Sequence, residues 1–205
     1  MPEVTTTKFE ILPLLEERWS PRVFSEQPIS ELELRTIFEA GRWAPSSNNL
    51  QPWKIIWGIK GSKTYDRIFD CLDDFNKKWA GNAGALLIGA YKKTNDDGKE
   101  NFHALHDLGA FSAMMTVQAQ HLGIAVHQMA GVQHEKAKEE FKFPSNHHVA
   151  TAIAMGYYGG DKEDLSEDLR KIESPKSERK LQRDFTFNGD FLKTSNLVSE
   201  SQPLD

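Results

Sequence analysis

The order of apolar and polar positions along this chain alternates between a helical period and short apolar runs, with no internal repeat. Phe9, Leu12 and Leu15 recur at helical spacing and predict a helix over Lys8–Glu17. Pro28-Ile29-Ser30-Glu31-Leu32-Glu33 reads as a helix start. Ser30 stands at the N-cap position and Glu33, three residues on, completes a capping box. That helix carries Leu34, Ile37 and Phe38 and should stop before Pro45. Lys54–Ile59 predicts a strand and Ser62–Leu72 a helix. Ala85–Tyr91 (ALLIGAY) is apolar on both alternating faces, as a fully buried strand requires. Asn101–Leu122 is the longest helical pattern, closed by Gly123. A strand at Ala125–Met129, a helix near Glu135–Phe141 and a buried strand at Val149–Tyr157 follow. Phe185-Thr186-Phe187 alternates like a terminal strand. The pattern predicts an α+β domain, a small mixed sheet flanked by helices, over residues 1–192. Residues 193–205 read as a polar tail.

The 205 residues suffice for one domain with a sizeable core. The net charge of −5, without a Lys/Arg cluster, argues against nucleic acid or an anionic membrane as partner. No apolar run reaches the roughly 18–20 residues of a membrane span. The N-terminus has no signal-peptide pattern and Cys71 is the only cysteine, so the expected compartment is a reducing cytoplasm.

Two segments concentrate donors and acceptors. Arg18-Trp19-Ser20-Pro21-Arg22 places two guanidinium groups around a hydroxyl, a set suited to phosphate. Arginines at a helix end also complement the helix dipole, so this segment alone leaves both readings open. Pro45-Ser46-Ser47-Asn48-Asn49-Leu50-Gln51-Pro52-Trp53 is a dense polar run between a helix and a strand. It serves equally as a turn and as a surface that reads a polar planar ring. Other chemistry fits less well. There is no G-x-G-x-x-G turn for a nicotinamide domain and no G-x-S-x-G elbow for a hydrolase. His103 and His106 lack further zinc ligands at useful spacing.

The N-terminal R-x-S-x-R, the P-S-S-x-N-x-Q-P-W loop and the distal Gly156-Tyr157-Tyr158-Gly159-Gly160, in this order, resemble the nitroreductase family from about Leu14 to Phe187. The resemblance implies a mainly antiparallel sheet flanked by helices in a domain-swapped-type homodimer, with FMN as cofactor. It implies that Arg18, Ser20 and Arg22 contact FMN through its phosphate, ribityl chain and pyrimidine edge. Pro45, Ser46, Ser47 and Asn48, with Gln51 beside them, match the loop that reaches the flavin from the partner subunit. Asn76 matches an asparagine that bonds the ring. Met129, Ala130 and Gly131 match the segment whose backbone amide faces flavin N5, and Arg179 the C-terminal basic residue on the phosphate. Three positions depart from the family pattern. Trp19 stands where a polar residue is common, Ala130 where some relatives carry an acid, and Lys180-Leu181 lacks a proline often found after that arginine.

The implied activity is NAD(P)H-dependent reduction of small planar electrophiles such as nitroaromatics or quinones, with ping-pong kinetics and no catalytic side chain, since the flavin carries the chemistry. The alternatives are a specialised flavoprotein on the same scaffold, of dehalogenase or flavin-fragmenting type, and a non-catalytic FMN-binding protein. Trp43, Phe75 and Trp79, aromatic neighbours of the site, suit a flat, apolar substrate and equally suit the core. Met114, Met115 and Ala119 on the long helix are the expected dimer face.

Overall fold

The computed structural model describes residues 9–174 and 178–192. Four strands form one sheet in the order β1-β2-β4-β3, every neighbouring pair antiparallel: β1 (Trp53–Ile59), β2 (Ala85–Lys92), β3 (Ile124–Met129) and β4 (His147–Tyr157). The sheet is thus α+β and mainly antiparallel as expected, and among the described residues wholly so. Strand pleating explains the apolar run in β2. Ala85 and Leu87 face one layer of helices, while Leu86, Ile88 and Ala90 face the other. The first layer is α2 (Glu31–Arg42) and α5 (Ala104–His121), which supply Leu34, Ile37, Phe111, Met115 and Ala119. The second is α3 (Lys63–Asp70), α4 (Asp74–Ala80), α6 (His134–Glu140) and α7 (Glu167–Ile172), with Tyr65, Ile68, Trp79, Ala137 and Leu169.

The local signals worked where the bonds are local. Ser30 accepts the Glu33 N–H at 3.2 Å, and the Glu33 carboxylate accepts the Ser30 N–H at 2.7 Å. Ser62 caps α3 through the Tyr65 N–H. Gly123, at φ 74°, ends α5 in the left-handed conformation a side chain rarely adopts.

Three expectations are corrected, and one helix was not foreseen. The first helix, α1, spans only Pro13–Glu17. Pro13 takes an N-terminal position where its missing N–H costs nothing, and its ring disfavours helical backbone at Leu12. Phe185–Phe187 is no strand. It follows a 3₁₀ turn at Gln182–Asp184, with Thr186 N–H bonded to the Gln182 carbonyl, and Phe187 meets Phe191 edge-on at 5.1 Å. Among the described residues no strand pairs with these three positions. Met115 and Ala119 are fully buried in this chain's own core, whereas Met114 is exposed. Finally, Asp73–Gly84 contains a helix, α4, that the apolar pattern does not announce. Lys8 and the polar tail 193–205 lie outside the described residues. Among the described residues no helix is long and apolar enough to cross a membrane.

Candidate functional site

The segment after α1 runs along the β3 edge of the sheet. Ser25 N–H donates to the Tyr157 carbonyl at 2.9 Å, and the Pro21 carbonyl lies 2.9 Å from His127 Nδ1 on β3. A carbonyl only accepts, so His127 carries its proton on Nδ1. Tyr158, just past β4, stacks on Trp19 with ring centroids 6.2 Å apart, and its hydroxyl reaches Gln120 Oε1 at 2.7 Å. The glycines of the distal motif permit this approach. A Cβ on Gly160 would lie 2.4 Å from the Phe24 carbonyl oxygen, and one on Gly156 would lie 2.5 Å from the Phe24 ring.

Within this segment Arg18 Nη1 donates to Ser20 Oγ at 3.3 Å. Arg22 is held differently. Its backbone N–H donates to Glu173 Oε1 at 2.7 Å and its Nη1 to Oε2 at 3.1 Å. The Nε of Arg22 is buried and has no partner among the described residues. His127 lies next to this ion pair, its ring 4.5 Å from that of Trp79, and burial pushes its pKa below the ordinary histidine value.

Helix α4 continues the cluster. Trp79 and Asn76 lie one turn apart, and while Trp79 covers His127, the Asn76 side-chain amide donates to the Gly131 carbonyl at 3.1 Å. Asp73, the N-cap of α4, accepts the Asn76 N–H at 2.8 Å and donates its own N–H to the same carbonyl at 3.1 Å. Thr151 Oγ1 donates to the Met129 carbonyl. A Cβ at position 131 would fall 2.1 Å from Asp73 Oδ2 and 2.4 Å from Asn76 Nδ2, so only glycine fits. Ala130 between them is exposed. Asn76 and Met129–Gly131 meet at the C-terminal end of β3, Pro21 reaches the strand at His127, and Trp19 lies toward its other end, against Tyr158.

The second segment sits elsewhere. Pro45–Gln51 precedes β1, the opposite edge of the sheet, three strand spacings or about 14 Å from β3. Its backbone is unusual: Asn48, Asn49 and Gln51 have φ of 49°, 55° and 46°. Asparagine tolerates this region better than most residues, but three such positions still store strain. Internal bonds offset part of it. Ser46 Oγ accepts the Gln51 N–H at 3.1 Å, and Gln51 Nε2 reaches the Asn49 carbonyl and Oδ1 at 3.2 and 3.1 Å. The loop is also anchored from outside, because Asp107 Oδ2 accepts the Ser47 N–H at 3.1 Å and Asp107 is 1% exposed.

Arg179 is exposed and donates to the Glu178 carbonyl. Of the aromatic neighbours, Trp79 lies in the core beneath His127, while Trp43 and Phe75 are exposed. Sequence reading missed Glu173, His127, Asp73 and Asp107. Each acts on a backbone or side chain that only folding brings near, and none stands in a motif.

The donor set suits an anionic group with a polar planar edge. Arg18 bonds the Ser20 hydroxyl, a buried guanidinium N–H of Arg22 lacks an acceptor among the described residues, and an exposed backbone turn follows β3. The family model for the nitroreductase family matches residues 15–71, which include Arg18–Arg22, Pro45–Gln51 and the start of the sheet. A solved structure described as an oxidoreductase containing FMN is 32% identical with a TM-score of 0.86, covering 92% of this chain and 96% of that one. The chain belongs to the nitroreductase family. A candidate NADH dehydrogenase/NAD(P)H nitroreductase of Archaeoglobus fulgidus is 24% identical over 165 residues, 78% of this chain and 92% of that protein. A candidate NAD(P)H nitroreductase of Streptococcus pyogenes is 40% identical over 47 residues, a match spanning 23% of this chain and 24% of that protein. In this nitroreductase-family chain Glu173 anchors the Arg18–Arg22 segment and Asp107 the Pro45–Gln51 loop.

Proposed function

We propose that this protein is an FMN-dependent NAD(P)H oxidoreductase that reduces small planar electrophiles such as nitroaromatics or quinones and works as a cytoplasmic homodimer. The observation that carries the reading is the buried Nε of Arg22, unpartnered among the described residues, in the same segment as the Arg18–Ser20 pair on a nitroreductase-family fold. A buried N–H without an acceptor costs about 1–3 kcal/mol, which an arriving acceptor returns. The names of the relatives, FMN-containing and NAD(P)H-dependent, support the same reading.

In this reading Arg18 and Ser20 hold the phosphate, with Arg179. Six residues separate Arg179 from Glu173, so the chain reaches at most about 20–22 Å from the residue that clamps Arg22. Arg22 faces the pyrimidine edge, Trp19 shields the segment, and Asn76 with the backbone of Met129, Ala130 and Gly131 orients the ring. FMN, when bound, supplies the hydride chemistry, and the protein supplies placement and charge. With no dinucleotide fingerprint in the sequence, NAD(P)H and the acceptor use one open face in turn, which makes the kinetics ping-pong. Residues 1–192 form the one FMN-binding domain.

The sheet edges support a shared site. Pro45–Asn48 and Gln51 lie across the sheet from Arg18–Arg22, so each flavin takes its loop from the second subunit. Helix α5 suits that contact, because Leu105, Gly109, Ala113 and Met114 lie exposed along it and small residues allow close helix approach. An obligate interface of this kind buries more than roughly 2,000 Å² in total.

The test is an anaerobic titration of FMN-reconstituted protein with NADH and with NADPH, followed by a nitroarene. Bleaching of the visible band and its return on adding the nitroarene is the expected result. A bound flavin bleached by neither nicotinamide overturns the enzymatic reading in favour of a flavin store.

A further inference from the structure

Arg22 and Glu173 lie 151 residues apart, yet both carboxylate oxygens of Glu173 are committed to this one arginine. One oxygen fixes the Arg22 main chain and the other its Nη1, so backbone position and side-chain direction are set together. The Glu173 side chain is 3% exposed and that of Arg22 19%. A carboxylate buried this deeply is costly unless its lone pairs are used, and Arg22 uses them. Lys162 adds a nearby positive charge without competing, since its Nζ bonds the Glu173 main-chain carbonyl at 3.0 Å. With Nη1 engaged, the remaining edge of the guanidinium is the Nε–Nη2 fork, whose Nε is buried and unpartnered. A planar fork of two parallel N–H groups matches a pair of adjacent acceptors.

We infer that Glu173 is a positioning residue for the flavin: it aims the Nε–Nη2 fork of Arg22 at the pyrimidine edge and offsets the charge that the ring feels. The inference rests on the FMN reading above and adds to it a residue outside the family motifs. Two consequences separate this role from a merely structural one. Glutamine removes the charge and keeps one of the two acceptors, so Arg22 is less compensated and the reduced, more anionic flavin is favoured relative to the oxidised one. Shortening the side chain keeps the charge but withdraws one of its two bonds, so Arg22 turns and oxidised FMN binds more weakly.

The experiment measures FMN dissociation constants by quenching of flavin fluorescence, and midpoint potentials by dye equilibration, for the wild type, Glu173→Gln and Glu173→Asp. The glutamine variant should bind reduced relative to oxidised FMN about tenfold more tightly than the wild type, a rise of about 30 mV for a two-electron couple. The aspartate variant, which guards against a glutamine variant that does not fold, should lose about tenfold in affinity for oxidised FMN. A wild type that takes up no FMN overturns the proposed function and this inference together. A wild type that binds FMN, with folded variants within twofold of it in both affinity and potential, overturns the inference alone.

Discussion

Replacing Asp107 by alanine should weaken FMN binding about ten- to a hundredfold while leaving the sheet intact. Asp107 sits in the first turn of α5, where the helix dipole favours a carboxylate, and is 1% exposed. Its Oδ2 takes the Ser47 N–H at 3.1 Å, and its Oδ1 lies 3.4 Å from His106 Nδ1. A hydrogen bond to a charged group contributes about 1.5–3 kcal/mol, and every 1.4 kcal/mol is a factor of ten. That bond holds a loop with three non-glycine residues at positive φ, each a strain of about 1–3 kcal/mol if nothing compensates it. Without the anchor the loop relaxes, and the Ser46–Asn48 geometry must be restored each time FMN binds. Asp107→Asn retains an acceptor oxygen of the same reach and should keep most of the affinity. The assay is fluorescence quenching of FMN on titration with apoprotein, with urea unfolding as the control for fold. A folded Asp107→Ala protein with wild-type FMN affinity, or alanine and asparagine variants that behave alike, would refute the reasoning.

Gly131→Ala should lower the melting temperature and FMN affinity together. Its Cβ displaces the Asp73 cap and Asn76, at a cost of about 1–3 kcal/mol for overpacking; an unchanged melting curve contradicts the geometry. Stability should fall as pH drops below about 6.5, the unfolded histidine value, because the unfolded chain then takes up a proton that His127, with its depressed folded pKa, still refuses. His127's contribution is fully present above the unfolded value and lost as pH falls through the lower folded one. His147 and His148 are shifted the same way by burial, so His127→Asn should flatten but not abolish the slope of urea-unfolding free energy between pH 7.5 and 5.5; an unaltered slope argues against a neutral buried His127. Gly109→Arg, placed on the open face of α5 where a Cβ meets nothing, should give a folded monomer without flavin in light scattering. Arginine raises helix propensity there, so a retained FMN-loaded dimer counts directly against the shared site.

The sequence alone determined the features whose bonds close within a few residues. The Ser30–Glu33 box, the Ser62 cap, the stop at Gly123 and the two-sided burial of Ala85–Tyr91 follow from spacing, because their partners are neighbours on the chain. The motif segments were legible for a different reason: close backbone approach leaves a mark in residue type, as Gly156, Gly160 and Gly131 do where a Cβ would strike Phe24 or Asp73. Only the tertiary structure decided what depends on how elements meet. Which side of α5 is covered depends on its docking against the sheet, which buries Met115 and Ala119 and leaves Met114 outside. Phe185–Phe187 alternates like a strand but follows a 3₁₀ turn and pairs with no strand among the described residues, since pairing is set by an edge rather than by period. Glu173 beneath Arg22 is an acid in a polar stretch and Asp107 beneath Ser47 an acid on the buried face of α5, 151 and 60 residues from their partners. A bond across such a separation leaves no period or spacing in the chain, because the packing of the sheet, and not local geometry, brings its two ends together.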